Sequence, residues 1–91
     1  MTRYGAAIKS VKFRDRSGSL KEVTLHLDDI KDWSDAAKNP KYGATCGRWA
    51  GRIENARFGE VELEANNGPN CLHGGNDGWD RRHWDLKENV E

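Results

Sequence analysis

Two side chains carry the strongest chemical potential in the sequence. They are Arg52, in the run Gly51-Arg52-Ile53, and His73, in the run Leu72-His73-Gly74-Gly75. A planar guanidinium donates forked hydrogen bonds, which suits vicinal or ring oxygens of a polar ligand. An imidazole beside paired glycines sits where backbone can approach a ligand closely while the ring donates or accepts a hydrogen bond. Residue type alone leaves both open: Arg52 reads equally as a surface partner of Glu54 or Glu62, and a loop histidine is ordinarily an exposed bystander. Trp79 and Trp84 could stack on the apolar face of a ring or simply fill a sparse core. Asp80 could orient a loop or meet a hydroxyl. Asn67 and Asn70 read first as turn formers, His26 as an outward strand residue and His83 as structural or solvent-facing beside Arg82.

Other chemistries find little support. The two cysteines, Cys46 and Cys71, lie 25 positions apart without a CxxC or a patterned histidine pair, so neither a zinc site nor a disulfide framework is expected. Free, reduced, partly buried thiols are the expectation, and with them a cytoplasmic setting. No metal and no cofactor is expected. Fifteen basic residues balance fifteen acidic ones, which removes the electrostatic reason to expect a nucleic-acid or acidic-membrane partner. The excess of Lys and Arg from Met1 to Glu22 reads as the solvated side of strands. No apolar run approaches the ~18 residues of a membrane span, and the N-terminus has no signal-like apolar region.

These groups must be positioned by short strands and loops. Ala6 to Phe13 is β-rich, with Ile8 out of register. Asp15-Arg16-Ser17-Gly18 supplies turn chemistry, and Val23, Leu25 and Leu27 alternate with Thr24 and His26 as a half-buried return strand. Ile30, Trp33, Ala36 and Ala37 at near-helical spacing predict a turn or two of helix, with Ser34 available as N-cap, broken by Asn39-Pro40. Tyr42 to Gly51 is a Gly-rich irregular stretch. Ile53 to Leu63 returns to strands around a turn at Gly59. Asn66 to Asn70 and Gly74 to Gly78 are loops, and Arg82 to Leu86 is a closing strand around Trp84. The fold class is therefore all-β, a partial β-sandwich of antiparallel strands with long Gly/Asn-rich loops, in one incomplete domain over residues 1–91. With 91 residues and only fifteen Leu, Ile, Val and Phe, the apolar supply suits part of a core. Loops this long in a compact domain are normally functional or packed against something else.

In order, Tyr42-Gly43, Gly47-Arg48, Gly51-Arg52-Ile53, Asn67-Gly68-Pro69-Asn70 and Leu72-His73-Gly74-Gly75, trailed by Gly78-Trp79-Asp80 and Trp84, resemble the signature of the aldose 1-epimerase (galactose mutarotase) family. The earlier part of the chain resembles that family's opening hairpin, so the similarity covers nearly every residue. It departs in two places: Gly51 stands where many members have Asn, and the stretch from Phe58 to Asn66 is shorter than the usual hairpin.

The resemblance implies the N-terminal part of a galactose mutarotase-like supersandwich and an activity that interconverts the α and β anomers of a hexose such as glucose or galactose. By motif it places Arg52 and His73 in the sugar groove, with His73 in a supporting hydrogen-bonding role; Asp80, from its residue type alone, is a further candidate contact. It also implies that the family's general-base glutamate and second histidine come from later sequence, with no counterpart here. A truncated chain inactive alone is the expectation, with a hexose as ligand and a homo-oligomer formed through open strand edges, or a complementary C-terminal chain, as partner. The other reading is a non-catalytic carbohydrate-binding or oligomerising β module.

Overall fold

The computed structural model describes residues 1–87. Asp15 starts the first tight structure. Its carboxylate accepts hydrogen bonds from the Ser17 and Ser19 amides at 2.9 and 3.0 Å, and its carbonyl accepts from Gly18 N at 2.9 Å. This turn joins β1 (Lys12–Arg14) to β2 (Leu20–Glu22) in an antiparallel ladder with Phe13 opposite Lys21.

The paired segment is shorter than the alternation predicts, and it lies earlier. Val23 and Leu25 are 61% and 76% exposed, whereas Thr24 and His26 are half-buried, the reverse of the expected facing. The cause is local. The Glu22 carboxylate collects the Thr24 amide at 3.0 Å and the Val11 amide at 3.1 Å, ending the ladder, and among the described residues no second sheet covers the apolar side.

The predicted helical turn forms as a 3₁₀ segment, Ile30–Ser34. Asp29 caps it by accepting from Lys31 N at 2.9 Å. Ser34 is its last residue, not its N-cap, because Asp29 offers a carboxylate two residues before a free amide and so starts the segment earlier. The segment seats Trp33, among the described residues the one large side chain that is fully buried. Its indole N–H donates to Leu27 O at 3.1 Å, and Asn39 Nδ2 donates to Trp33 O at 2.8 Å. Asn39 Oδ1 in turn accepts from the Lys41 and Tyr42 amides at 3.0 and 2.9 Å, which turns the chain past Pro40. Burying an indole of ~200 Å² at ~25 cal/mol/Å² is worth about 5 kcal/mol. The other buried apolar residues, Ala7, Ala56 and Cys71, are small.

The remaining strands are two residues long. β3 (Arg52–Ile53) pairs antiparallel with β6 (Cys71–Leu72), and β4 (Arg57–Phe58) with β5 (Val61–Glu62) around the turn at Gly59. Closing the chain, Arg82 to Leu86 forms no strand. Gly5 N reaches Arg82 O at 2.7 Å, Trp84 N reaches Arg3 O at 2.8 Å, and Tyr4 bridges His83. A strap of this kind satisfies backbone groups where too few apolar residues face one way to support a ladder. Every ladder is antiparallel and, among the described residues, two-stranded, so each leaves open edges.

Candidate functional site

Pairing of β3 with β6 brings the two motif residues together. Arg52 lies opposite Leu72 and Ile53 opposite Cys71. One position beyond, His73 N donates to Gly51 O at 3.1 Å, and Gly51 N donates to His73 Nδ1 at 2.9 Å. This reciprocal pair needs unusual backbone at both ends: Gly51 has φ +93° and His73 φ +52°. Glycine adopts the first without steric cost. His73 thereby leaves strand geometry, and its ring folds back onto the amide of Arg52's neighbour.

Arg52 is held separately. Its Nε donates to Asn67 Oδ1 at 2.8 Å, and among the described residues it forms no ion pair, with Glu54, Glu62 or any other carboxylate. Asn67 is itself fixed by two 3.0 Å backbone bonds with Asn70. Asn66 acts as a surrogate strand for β6, accepting from Leu72 N at 2.6 Å and donating to Leu72 O at 2.9 Å. The asparagines form turns as expected, but the positioning work of Asn66 and Asn67 is not legible in residue type. The sequence signal for it is three asparagines packed around Gly68-Pro69, more than one turn requires.

Close packing behind His73 depends on glycine. A Cβ on Gly74, which has φ +88°, would collide with the Gly47 carbonyl, and one on Gly47 would enter the Trp79 ring. Trp79 N donates to Gly47 O at 3.1 Å, and Trp79 and Trp84 meet edge to face at 5.6 Å. Both tryptophans are thus engaged in packing. A hollow of about 380 Å³, walled by Gly47, Trp49, Ile53, Cys71 and Trp79 among others, opens beside them. Another of about 310 Å³ is walled by Tyr4, Lys41, Asn66, Leu72 and Arg81 among others. Neither is lined by Arg52 or His73.

Asp80 is 2% exposed, with its carboxylate 2.9 Å from Lys41 Nζ and 3.4 Å from Arg81 Nε. Neither oxygen receives a well-angled hydrogen bond, so the attraction is chiefly coulombic. Arg81 Nη2 also donates to Asn39 O at 3.2 Å, tying this charge cluster to the Trp33 core. Of the other histidines, His26 lies 3.3 Å from Asp28 and His83 packs edge to face on Tyr4 at 5.3 Å. Cys46 is half-buried and Cys71 buried, and both are free thiols. Among the described residues no three His, Cys, Asp or Glu side chains converge as metal ligands, and no helix is long and apolar enough to cross a membrane.

The backbone matches a GalM/aldose epimerase homologue from C. elegans with a TM-score of 0.84 and 33% identity, over 97% of this chain and 28% of that one. The described residues are thus part of a mutarotase-like β-sandwich. The family model for aldose 1-epimerase matches residues 1–91, and the chain belongs to that family. It is 38% identical over 85 residues to galactose mutarotase of Bos taurus, covering 89% of this chain and 24% of the relative. To aldose 1-epimerase of Escherichia coli it is 37% identical over 87 residues, 91% of this chain and 25% of that one. The chain spans about a quarter of the length of the curated relatives it matches.

Proposed function

We propose that this chain forms part of the sugar-docking half of an aldose 1-epimerase acting on a hexose, with Arg52 and His73 as its hydrogen-bonding groups, and that alone it does not interconvert anomers. The observation that supports this reading is the β3–β6 junction, where Arg52 and His73 are immobilised on neighbouring positions by separate hydrogen bonds. Anomer exchange requires a proton taken from the anomeric hydroxyl and one delivered to the ring oxygen, by a base and an acid on opposite sides of that atom pair. Two candidate acids are engaged: Glu64 accepts from Asn76 N and Nδ2 at 2.6 and 2.7 Å, and Asp80 faces Lys41. In this reading, which follows the family resemblance, the base and acid come from further polypeptide, in cis or from a complementary chain, in a cytoplasm that keeps Cys46 and Cys71 reduced.

Polarimetry on fresh α-glucose or α-galactose tests this directly. The 91-residue chain is expected to leave the spontaneous rate unchanged, and clear acceleration refutes the missing-base reading. Titration with millimolar hexose, followed by NMR, is expected to move Arg52 and His73 signals, and an unmoved spectrum counts against docking.

A second reading, an oligomerising β module, is favoured by one observation: Phe13, Leu25, Phe58 and Leu86 are each about 70% exposed or more, beside open strand edges. Light scattering behind size exclusion decides it, a dimer or larger species being expected and a stable monomer excluding it.

A further inference from the structure

We propose that the backbone N–H of Gly51 is a positioning group that holds His73 as its neutral Nε2–H tautomer, so that this imidazole serves a bound sugar as a hydrogen-bond donor and not as a proton acceptor. The inference rests on the docking role given to His73 above and specifies what its ring does there. A backbone N–H can only donate. With Gly51 N 2.9 Å from His73 Nδ1, that nitrogen must present its lone pair, and in a neutral ring the proton then resides on Nε2. Three features make the contact a built one. His73 N closes the same ring of atoms by donating to Gly51 O at 3.1 Å, so the two residues are bound twice. The left-handed backbone of His73, at φ +52°, accompanies the folding of its ring onto its own ladder partner. Gly51 reaches φ +93° with nothing near the position a Cβ would take, so its freedom serves conformation and not space.

Arg52 follows the same logic. Its Nε is spent on Asn67 Oδ1, which fixes the plane of the guanidinium and leaves only its terminal N–H groups for a ligand. These two side chains therefore offer donors: Nε2–H from His73 and the outer N–H groups of Arg52. A ligand that fits must present oxygen lone pairs, as the ring and hydroxyl oxygens of an aldose do.

The test is ¹⁵N NMR of the imidazole in the uniformly labelled 91-residue chain at neutral pH, without sugar. Nδ1 of His73 is expected at the position of an unprotonated ring nitrogen and Nε2 at that of a protonated one, with a coupling across the hydrogen bond between Gly51 N and His73 Nδ1. A protonated Nδ1, or averaged shifts typical of a freely exchanging imidazole, overturns the proposal. His73→Asn, whose side-chain oxygen can replace Nδ1 as acceptor, is expected to keep the Gly51 amide protected from hydrogen exchange, whereas His73→Ala speeds its exchange about tenfold, the worth of one net hydrogen bond. Equal exchange in the two variants also overturns it. Because these readouts need no ligand, an absent response to glucose would count against the docking role while leaving the tautomer result standing.

Discussion

Replacing Asp80 by alanine should unfold much of this chain. The carboxylate is buried and faces two cations, Lys41 Nζ at 2.9 Å and Arg81 Nε at 3.4 Å, whose side chains are only 19% and 18% exposed. Removing the acid leaves two poorly hydrated positive charges facing each other. Breaking a buried pair from one side costs about 3–5 kcal/mol, because the uncompensated charge dominates the loss. A chain of this length has roughly 5–14 kcal/mol in total at 0.05–0.15 kcal/mol per residue, and a core of one tryptophan and small residues places it toward the lower figure. Urea unfolding followed by tryptophan fluorescence, which includes the buried Trp33, should therefore show the Asp80→Ala midpoint falling by half or more. The double variant Asp80→Ala/Lys41→Met should recover part of that loss, since one stranded cation is gone. An Asp80→Ala variant within about 1 kcal/mol of the parent would refute the ion-cluster reasoning; if it also lost hexose-induced NMR shifts, Asp80 would become a ligand group.

Trp33→Phe should cost about 2–3 kcal/mol in the same assay, combining the lost bond to Leu27 O with incomplete filling of the indole's space, and a change under about 1 kcal/mol would contradict its role. Gly74→Ala should cost about 3–5 kcal/mol, adding a backbone collision with Gly47 to a left-handed φ, while Gly18→Ala, with open space and φ +84°, should cost only about 1–2 kcal/mol; equal costs would remove the close-approach explanation. The Ser10 hydroxyl, then the Thr24 hydroxyl, hold the Glu22 carboxyl down from 4.5 to about 2. A carboxyl depressed in the folded state stabilises fully above its unfolded value, so this contribution is present above pH 4.5 and is lost as pH falls through about 2. Carboxyl ¹³C titration should place Glu22 there, and a midpoint near 4.5 would exclude the hydrogen-bonded hairpin base.

Legibility in the sequence followed the range of the interactions concerned. The Asp15 to Ser19 turn, the Gly59 turn and the Asn39-Pro40 break are decided within four or five residues, and they lie where the residues indicate. Arg52 and His73 were singled out by ordered motifs, and their adjacent placement at the β3–β6 ladder is something spacing alone does not give. Facing was not legible. Val23 and Leu25 carry a half-buried strand's pattern, yet alternation says only that two sides differ, and the side that becomes covered depends on what packs over it. The Ser34 cap failed against a stronger local competitor, Asp29. Asn67 as the support of Arg52 and Lys41 as the counter-charge of Asp80 depend on contacts across 15 and 39 positions, which no periodicity encodes.

The β1–β2 hairpin has a practical implication. All residues from Val11 to Lys21 are exposed, and the radius of gyration is 16.2 Å against about 12 Å for a compact domain of this length. An isolated two-stranded ribbon is marginal by itself, so this projecting arm is expected to open without involving Trp33 or the β3–β6 junction. Its tip between Arg14 and Leu20 is accordingly the place to graft a fluorophore or an affinity peptide, and the place a protease would nick first, with Arg52 and His73 undisturbed in either case.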